Sequence, residues 1–213
     1  MPTTAGRRRG RAAGGPRGSY DPDLTRKALV DSSLALFREK GFHATSVQSI
    51  VDHASVTKGA FYHHFETKED VLALIHDEYL DSAIEGLEKA LASSEDPIEQ
   101  MRAVVRESVL SVARFRSHVA VYFQERRYLK GDRGDEIHRR RDAVEEAIAE
   151  IIRRGAADGV FAKDIEPRMA VFGIVGMTAW TYQWLRESGS IEVETVADQF
   201  ATMALRSLAP AAS

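Results

Sequence analysis

From residue 21 onward the apolar residues recur at three- and four-residue spacing, and no run keeps the strict alternation of a half-buried strand. That periodicity restricts the chain to an all-α fold. With 213 residues, 44% of them hydrophobic, there is enough apolar surface to bury a core. The absence of cysteine excludes disulfides, thiol catalysis and cysteine-ligated zinc or iron-sulfur sites. No stretch of about 18 uninterrupted apolar residues occurs, and the arginine-bearing start lacks the apolar run of a secretory signal, so a cytoplasmic protein is expected.

Helix boundaries follow from capping residues. A first helix over about 23–40 carries Leu29, Ser33, Leu36 and Phe37 on one stripe and stops at Gly41, suited to a left-handed cap. Thr45 opens a second, its spacing to Gln48 forming a capping box, with Val47, Ile50, Val51 and Ala54 facing inward. Thr57 caps a short third helix through Phe61, Tyr62 and Phe65. Thr67 caps a long fourth, with Glu69 and Asp70 in its first turn, and Pro97 suits the first turn of a fifth. A sixth is expected over 117–130, a seventh over 135–156, an eighth over 167–187 and a last over 192–208.

The last two helices are apolar on more than one side. Along the eighth, Val171, Val175, Ala179 and Tyr182 form one stripe, and Gly173, Gly176, Met177, Trp180 and Trp184 another. Such helices are buried on more than one side, which points to a second copy related by two-fold symmetry. Gly173 and Gly176 would permit close helix approach, and Val196, Phe200 and Met203 of the final helix join them as candidate dimer residues.

The net charge of −3 hides a polarised distribution. Residues 1–20 hold Arg7, Arg8, Arg9, Arg11 and Arg17 and no acid, so the remainder carries 24 basic against 32 acidic residues. This Gly-, Pro- and Ala-rich arm is expected to be disordered. It is either a solubilising tail or a phosphate- or minor-groove-binding segment. The neighbouring segment favours the second: residues 45–65 have the capped helix, tight turn and second capped helix of a helix-turn-helix. No acidic residue lies between Ala54 and Phe65, while Thr57, Lys58, Tyr62, His63 and His64 supply groups that reach phosphates or base edges. The small Gly59 and Ala60 allow the backbone near the groove floor. Residues 21–66 hold five basic and six acidic residues, so the arm would supply most of the positive charge.

The set Thr45, Ile50, Ala54, Val56, Thr57, Gly59, Phe61-Tyr62, His64-Phe65 and Lys68 resembles the N-terminal signature of the tetracycline-repressor (TetR) family. Leu29, Phe37, Gly41 and Phe42 fit its first helix; the turn departs from the family in carrying Ser55 where glycine is common. The resemblance implies a nine-helix, all-α homodimer. Its helix-turn-helix domain (21–66) would bind operator DNA, and residues 67–213 would hold the ligand and dimer surfaces. It also implies DNA contacts from Thr45, Ser46, Thr57, Lys58, Gly59, Ala60, Tyr62, His63 and Lys68, Lys68 meeting a phosphate at a helix start.

In the second half, Phe115, Tyr122, Phe123, Met177, Trp180 and Trp184 are candidates to line a ligand cavity, although such rings more often fill a core or, at Trp180 and Trp184, a dimer seam. The run His138-Arg139-Arg140-Arg141 is either a solvated face or a contact for an anionic ligand group. Thr178-Ala179-Trp180, Gln183-Trp184 and Gly189 are similar to regulators of fatty-acid and sterol catabolism that acyl-CoA thioesters release from DNA. A repressor with a small apolar effector such as an acyl-CoA is therefore expected, acting as a homodimer on a pseudo-palindromic operator, with no cofactor, metal or membrane. A helical adaptor for another protein, or an activator of the same fold, remains open. An enzyme is not expected: the adjacent His63 and His64 point about 100° apart and no convergent acid motif accompanies them.

Overall fold

The computed structural model describes residues 21–186 and 189–211. Arg7, Arg8, Arg9, Arg11 and the rest of residues 1–20 lie outside the described residues. α1 (Pro22–Lys40) starts on the Asp21 carboxylate, which accepts from the Asp23 and Leu24 N–H groups, and ends at Gly41 with φ +82°. α2 (Val47–Ala54) starts one residue later than its spacing predicts. Ser46 is the cap, in a reciprocal box with Ser49, and Thr45 is not. α3 (Lys58–His64) is capped by Thr57, whose hydroxyl accepts from Ala60 N–H at 3.1 Å. α4 (Lys68–Ser93) opens on a Thr67–Asp70 capping box.

α5 (Pro97–Arg114) and α6 (Arg116–Glu125) meet at Phe115, and a 3-10 turn at Arg126–Tyr128 ends the sixth helix earlier than expected. α7 (Gly131–Ala157) begins earlier than expected. Gly134 reads as a helix breaker, yet its bare Cα lets the first turn lie against the Leu129 carbonyl, where a Cβ would clash. α8 (Pro167–Ala179) is offset at Trp180 into a single further turn, Thr181–Trp184, and α9 (Val193–Leu208) closes the fold. Counting that turn with α8, there are nine helices and no strand among the described residues.

Two cores share α4. Its N-terminal half, with Val71, Leu72 and Ile75, joins Leu29, Phe37, Ile50, Phe61 and Phe65 of α1–α3, and this core continues into Val121, Tyr122 and Ile137. Its C-terminal half, with Leu87 and Ala90, joins Met101, Ile148, Ile151, Phe161, Val171, Ala201 and Leu208. α4 thus runs unbroken from the small N-terminal unit into the larger helical body. No described helix is long and apolar enough to cross a membrane.

Candidate nucleic-acid interface and sensing cavity

Between α2 and α3 the chain reverses at Ser55, the one non-glycine residue with positive φ among the described residues (φ 57°, ψ 39°). The departure from glycine therefore falls at a position that demands the left-handed conformation. Phe61 and Phe65 turn inward, while Lys58, Gly59, Tyr62 and His63 form the exposed side of α3, with Tyr62 57% exposed and Ala60 at its edge. Ser46, Tyr62, Thr67 and Lys68 line one shallow concavity with His43, so the starts of α2 and α4 and the exposed side of α3 face the same outer surface.

Two expected contacts are placed differently. Thr45 is 1% exposed, and its hydroxyl donates to the Gly41 carbonyl at 2.8 Å, so its side chain closes the α1–α2 loop. The Lys68 ammonium donates to the carbonyls of Phe42 and Thr45, each at 2.8 Å, and lies 4.4 Å from the Phe42 ring centre. It clamps that loop to the start of α4, with two of its three N–H groups so engaged.

The candidate dimer residues divide. Along α8, Met169, Phe172, Gly173, Gly176 and Trp180 recur at helical spacing on one exposed stripe, and a Cβ at either glycine would meet nothing within 4 Å. Met203 of α9 is exposed as well. Val196 is not available to a partner: it is 5% exposed and packs with Val109, Leu185 and Ala197 inside the protomer. Phe200 is half-buried among residues of two internal clusters.

A cavity of about 90 Å3 lies between α4, α5, α6, α7 and α8. Leu80, Ala83, Val144, Ile148, Val175 and Ala179 make apolar walls, and Tyr122 and Phe123 of the expected set line it. Phe115, Met177, Trp180 and Trp184 do not. Val175, Thr178 and Ala179 form the inward stripe of α8, which turns Trp180 outward to 61% exposure. Phe115 packs instead against Tyr79 and His118, on the wall between this cavity and a wider cleft of about 560 Å3 lined by Arg114, Arg116, His118 and Arg186.

Of the polar groups of the cavity, Tyr122 and Arg141 are among the expected candidates and His76 is not. His76 of α4 is 2% exposed and stacks on the Tyr122 ring with centroids 4.0 Å apart. Burial first, then the nearby Arg141, His138, Arg140 and His118, lowers its pKa to about 3, so the imidazole is neutral. A histidine on the buried Leu72–Ile75–Tyr79 stripe was the signal available. Arg141 is bonded to the Tyr122 hydroxyl and lies 3.5 Å from Glu145. Its neighbour Arg140 ties α7 to α4 through Asp77 and Asp81, and Arg139 pairs with Glu136. The basic run is thus neither wholly solvated nor wholly a ligand contact. Among the described residues no three potential metal ligands converge.

The two units are joined at α6 as well as through α4. The buried Glu125 carboxylate accepts the Phe42 N–H at 3.0 Å, and Arg38 donates to the Ser117 hydroxyl at 2.7 Å. A helix-turn-helix unit fixed to a helical body with its own cavity defines a DNA-binding regulator with a sensing domain. The family model described as "Bacterial regulatory proteins, tetR family" matches residues 29–75, and "Tetracyclin repressor-like, C-terminal domain" matches residues 94–208. The chain belongs to the TetR family. It is 32% identical over 186 residues to the HTH-type transcriptional repressor KstR2 of Rhodococcus jostii, covering 86% of this chain and 91% of the relative. The structure of the ketosteroid transcriptional regulator KstR2 of Mycobacterium tuberculosis has the same fold, with TM-score 0.80 at 24% identity over 93% and 99% of the two chains. AibR in complex with isovaleryl coenzyme A and operator DNA matches with TM-score 0.74 at 26% identity, over 84% and 97%.

Proposed function

We propose that this protein is a homodimeric transcriptional repressor, acting on DNA in the cytoplasm, that an acyl-coenzyme A thioester releases from a pseudo-palindromic operator. The observation that carries the reading is the shared helix α6: Tyr122 lines the cavity, and Glu125, one turn on, holds the helix-turn-helix loop through Phe42. Likeness to a repressor at 32% identity over most of its length supports the sign, and likeness to AibR supports the ligand class. The apolar cavity suits an acyl chain, and the arginine-lined cleft across the Phe115–His118 wall suits the phosphates of the carrier.

DNA contacts are assigned to Ser46, Thr57, Lys58, Gly59, Ala60, Tyr62 and His63, with the exposed stripe of α8 and Met203 as the dimer seam. Two α3 helices then enter successive major grooves about 34 to 36 Å apart. A ligand that binds better to a dimer of different spacing shifts the population away from DNA, and the work done is binding and release, with no covalent step. The test is a mobility-shift titration of the DNA upstream of the protein's own gene against a panel of acyl-CoAs. Release by one chain length supports the reading; binding undisturbed by the whole panel refutes the ligand. Removal of residues 1–20 is expected to weaken DNA binding and flatten its salt dependence, because five arginines are lost; an unchanged slope of log affinity against log salt counts against the arm's role.

A further inference from the structure

Among the described residues, the buried side-chain nitrogen and oxygen atoms that lack a hydrogen-bond partner are the two ring nitrogens of one residue, His76. Buried polar groups are almost always paired, because one left bare has given up its hydrogen bonds to water with nothing in return. His76 lines the cavity. Around it several of the other polar groups are committed. Thr178 donates to the Ile174 carbonyl at 3.0 Å, Ser108 to the Val104 carbonyl at 2.8 Å, and Arg141 is engaged with Tyr122 and Glu145. The imidazole is the fully buried polar group of this wall left unpaired, on both of its nitrogens; the Tyr79 hydroxyl, less deeply buried, is the other lining group with no hydrogen bond.

Charge decides what that position accepts. Arg141 and Glu145 offset each other and His76 is neutral, so the cavity carries no net charge. A carboxylate entering it would be buried without a compensating cation, at a cost that a neutral carbonyl avoids. Size sets the remainder. An apolar cavity of about 150 Å3 admits benzene, so about 90 Å3 holds about four carbon atoms. The geometry points to His76 as the anchor of the effector: its ring N–H donates to the neutral carbonyl oxygen of a short acyl thioester whose hydrocarbon end lies against Leu80, Val144, Ile148 and Val175. This rests on the acyl-CoA reading of the cavity and adds to it the atom recognised, the chain length and the exclusion of the free acid.

The experiment deletes the hydrogen bond from each side, using calorimetry on the full chain. The probes are isovaleryl-coenzyme A, its carbonyl-free thioether S-isopentyl-coenzyme A, isovalerate and the N-acetylcysteamine thioester of isovalerate. The unaltered chain is expected to bind the thioester roughly tenfold more tightly than the thioether, one hydrogen bond's worth, and isovalerate more weakly still. His76→Phe, which keeps an aromatic ring on Tyr122, is expected to erase that preference without lowering the melting temperature. Equal binding of thioester and thioether by the unaltered chain overturns the proposal, and this needs no variant to fold. A preference that persists in His76→Phe, or isovalerate binding as tightly as the thioester, overturns it too, leaving His76 to a bound water. If neither coenzyme A compound binds but the cysteamine thioester binds in a His76-dependent way, the anchor stands and the acyl-CoA reading falls. If no carbonyl probe binds the unaltered chain, the anchor is overturned as well.

Discussion

Ser55 holds a left-handed backbone with a side chain that disfavours it, at the pivot between α2 and α3. A Cβ in this region costs about 1 to 2 kcal/mol, partly offset in a glycine variant by the greater freedom of its unfolded chain. Ser55→Gly is therefore expected to raise stability by about 0.5 to 1 kcal/mol, read from the urea midpoint. His76 gives a pH signature. Above pH 6.5 the imidazole is neutral in both folded and unfolded chains. Between 6.5 and about 3 only the unfolded chain takes up the proton, so folding stability falls as pH falls. At pH 4.5 the loss from this group is about 2 to 3 kcal/mol. Urea titrations of His76→Phe against the unaltered chain, between pH 7 and 4.5, are expected to show a shallower decline in the variant. Single residues were the least legible part of the sequence. Thr45 with Gln48 and Ser46 with Ser49 are both admissible capping pairs, and the choice is made by a tertiary bond that draws the Thr45 hydroxyl to Gly41. Lys68 has the residue type and position of a phosphate ligand, but loop carbonyls reach its ammonium first.

At the scale of helices, the three- and four-residue periodicity, the caps at Thr57 and Thr67 and the first-turn Pro97 define most of the nine elements, while the Asp21 cap of α1 was not anticipated. Glycine misleads where it serves approach instead of termination: Gly134 lies inside α7, and Gly155 is bare because the Phe161 ring occupies the space of its Cβ. The two-sided character of α8 is legible, but which stripe faces inward is not, since that depends on the tilt of the helix against α5 and α7. The outward stripe gives a prediction. Gly176→Arg adds a side chain where nothing in the protomer lies within 4 Å of the Cβ, so the fold tolerates it. In a dimer seam the same arginine is a buried charge. Light scattering is expected to show the monomer mass for this variant with unchanged helical circular dichroism; a persisting dimer would remove α8 from the interface.

Across the whole molecule, the helix-turn-helix signature was readable from sequence. The connection between that unit and the cavity was not readable. It depends on Glu125 and Phe42, 83 residues apart in sequence, and no local pattern announces such a pairing. Glu125→Ala leaves the Phe42 N–H without its buried acceptor and is expected to weaken the coupling between the two ends. Mobility shifts should show the effector releasing less DNA, while calorimetry shows effector affinity changed by less than about threefold. Equal loss of both would mean that α6 is simply destabilised.

The placement of Tyr122 one turn from Glu125 also bears on how relatives of this protein diverge. A substitution on α6 that reshapes the cavity moves the helix holding the α1–α2 loop, so ligand preference and operator affinity are expected to change together there. Val175 and Ala179 belong to α8, which packs on α5, α7 and α9 and carries no such strut. New effectors can be acquired at those walls while the response to DNA is inherited intact, and variation among descendants should collect on them and spare α6.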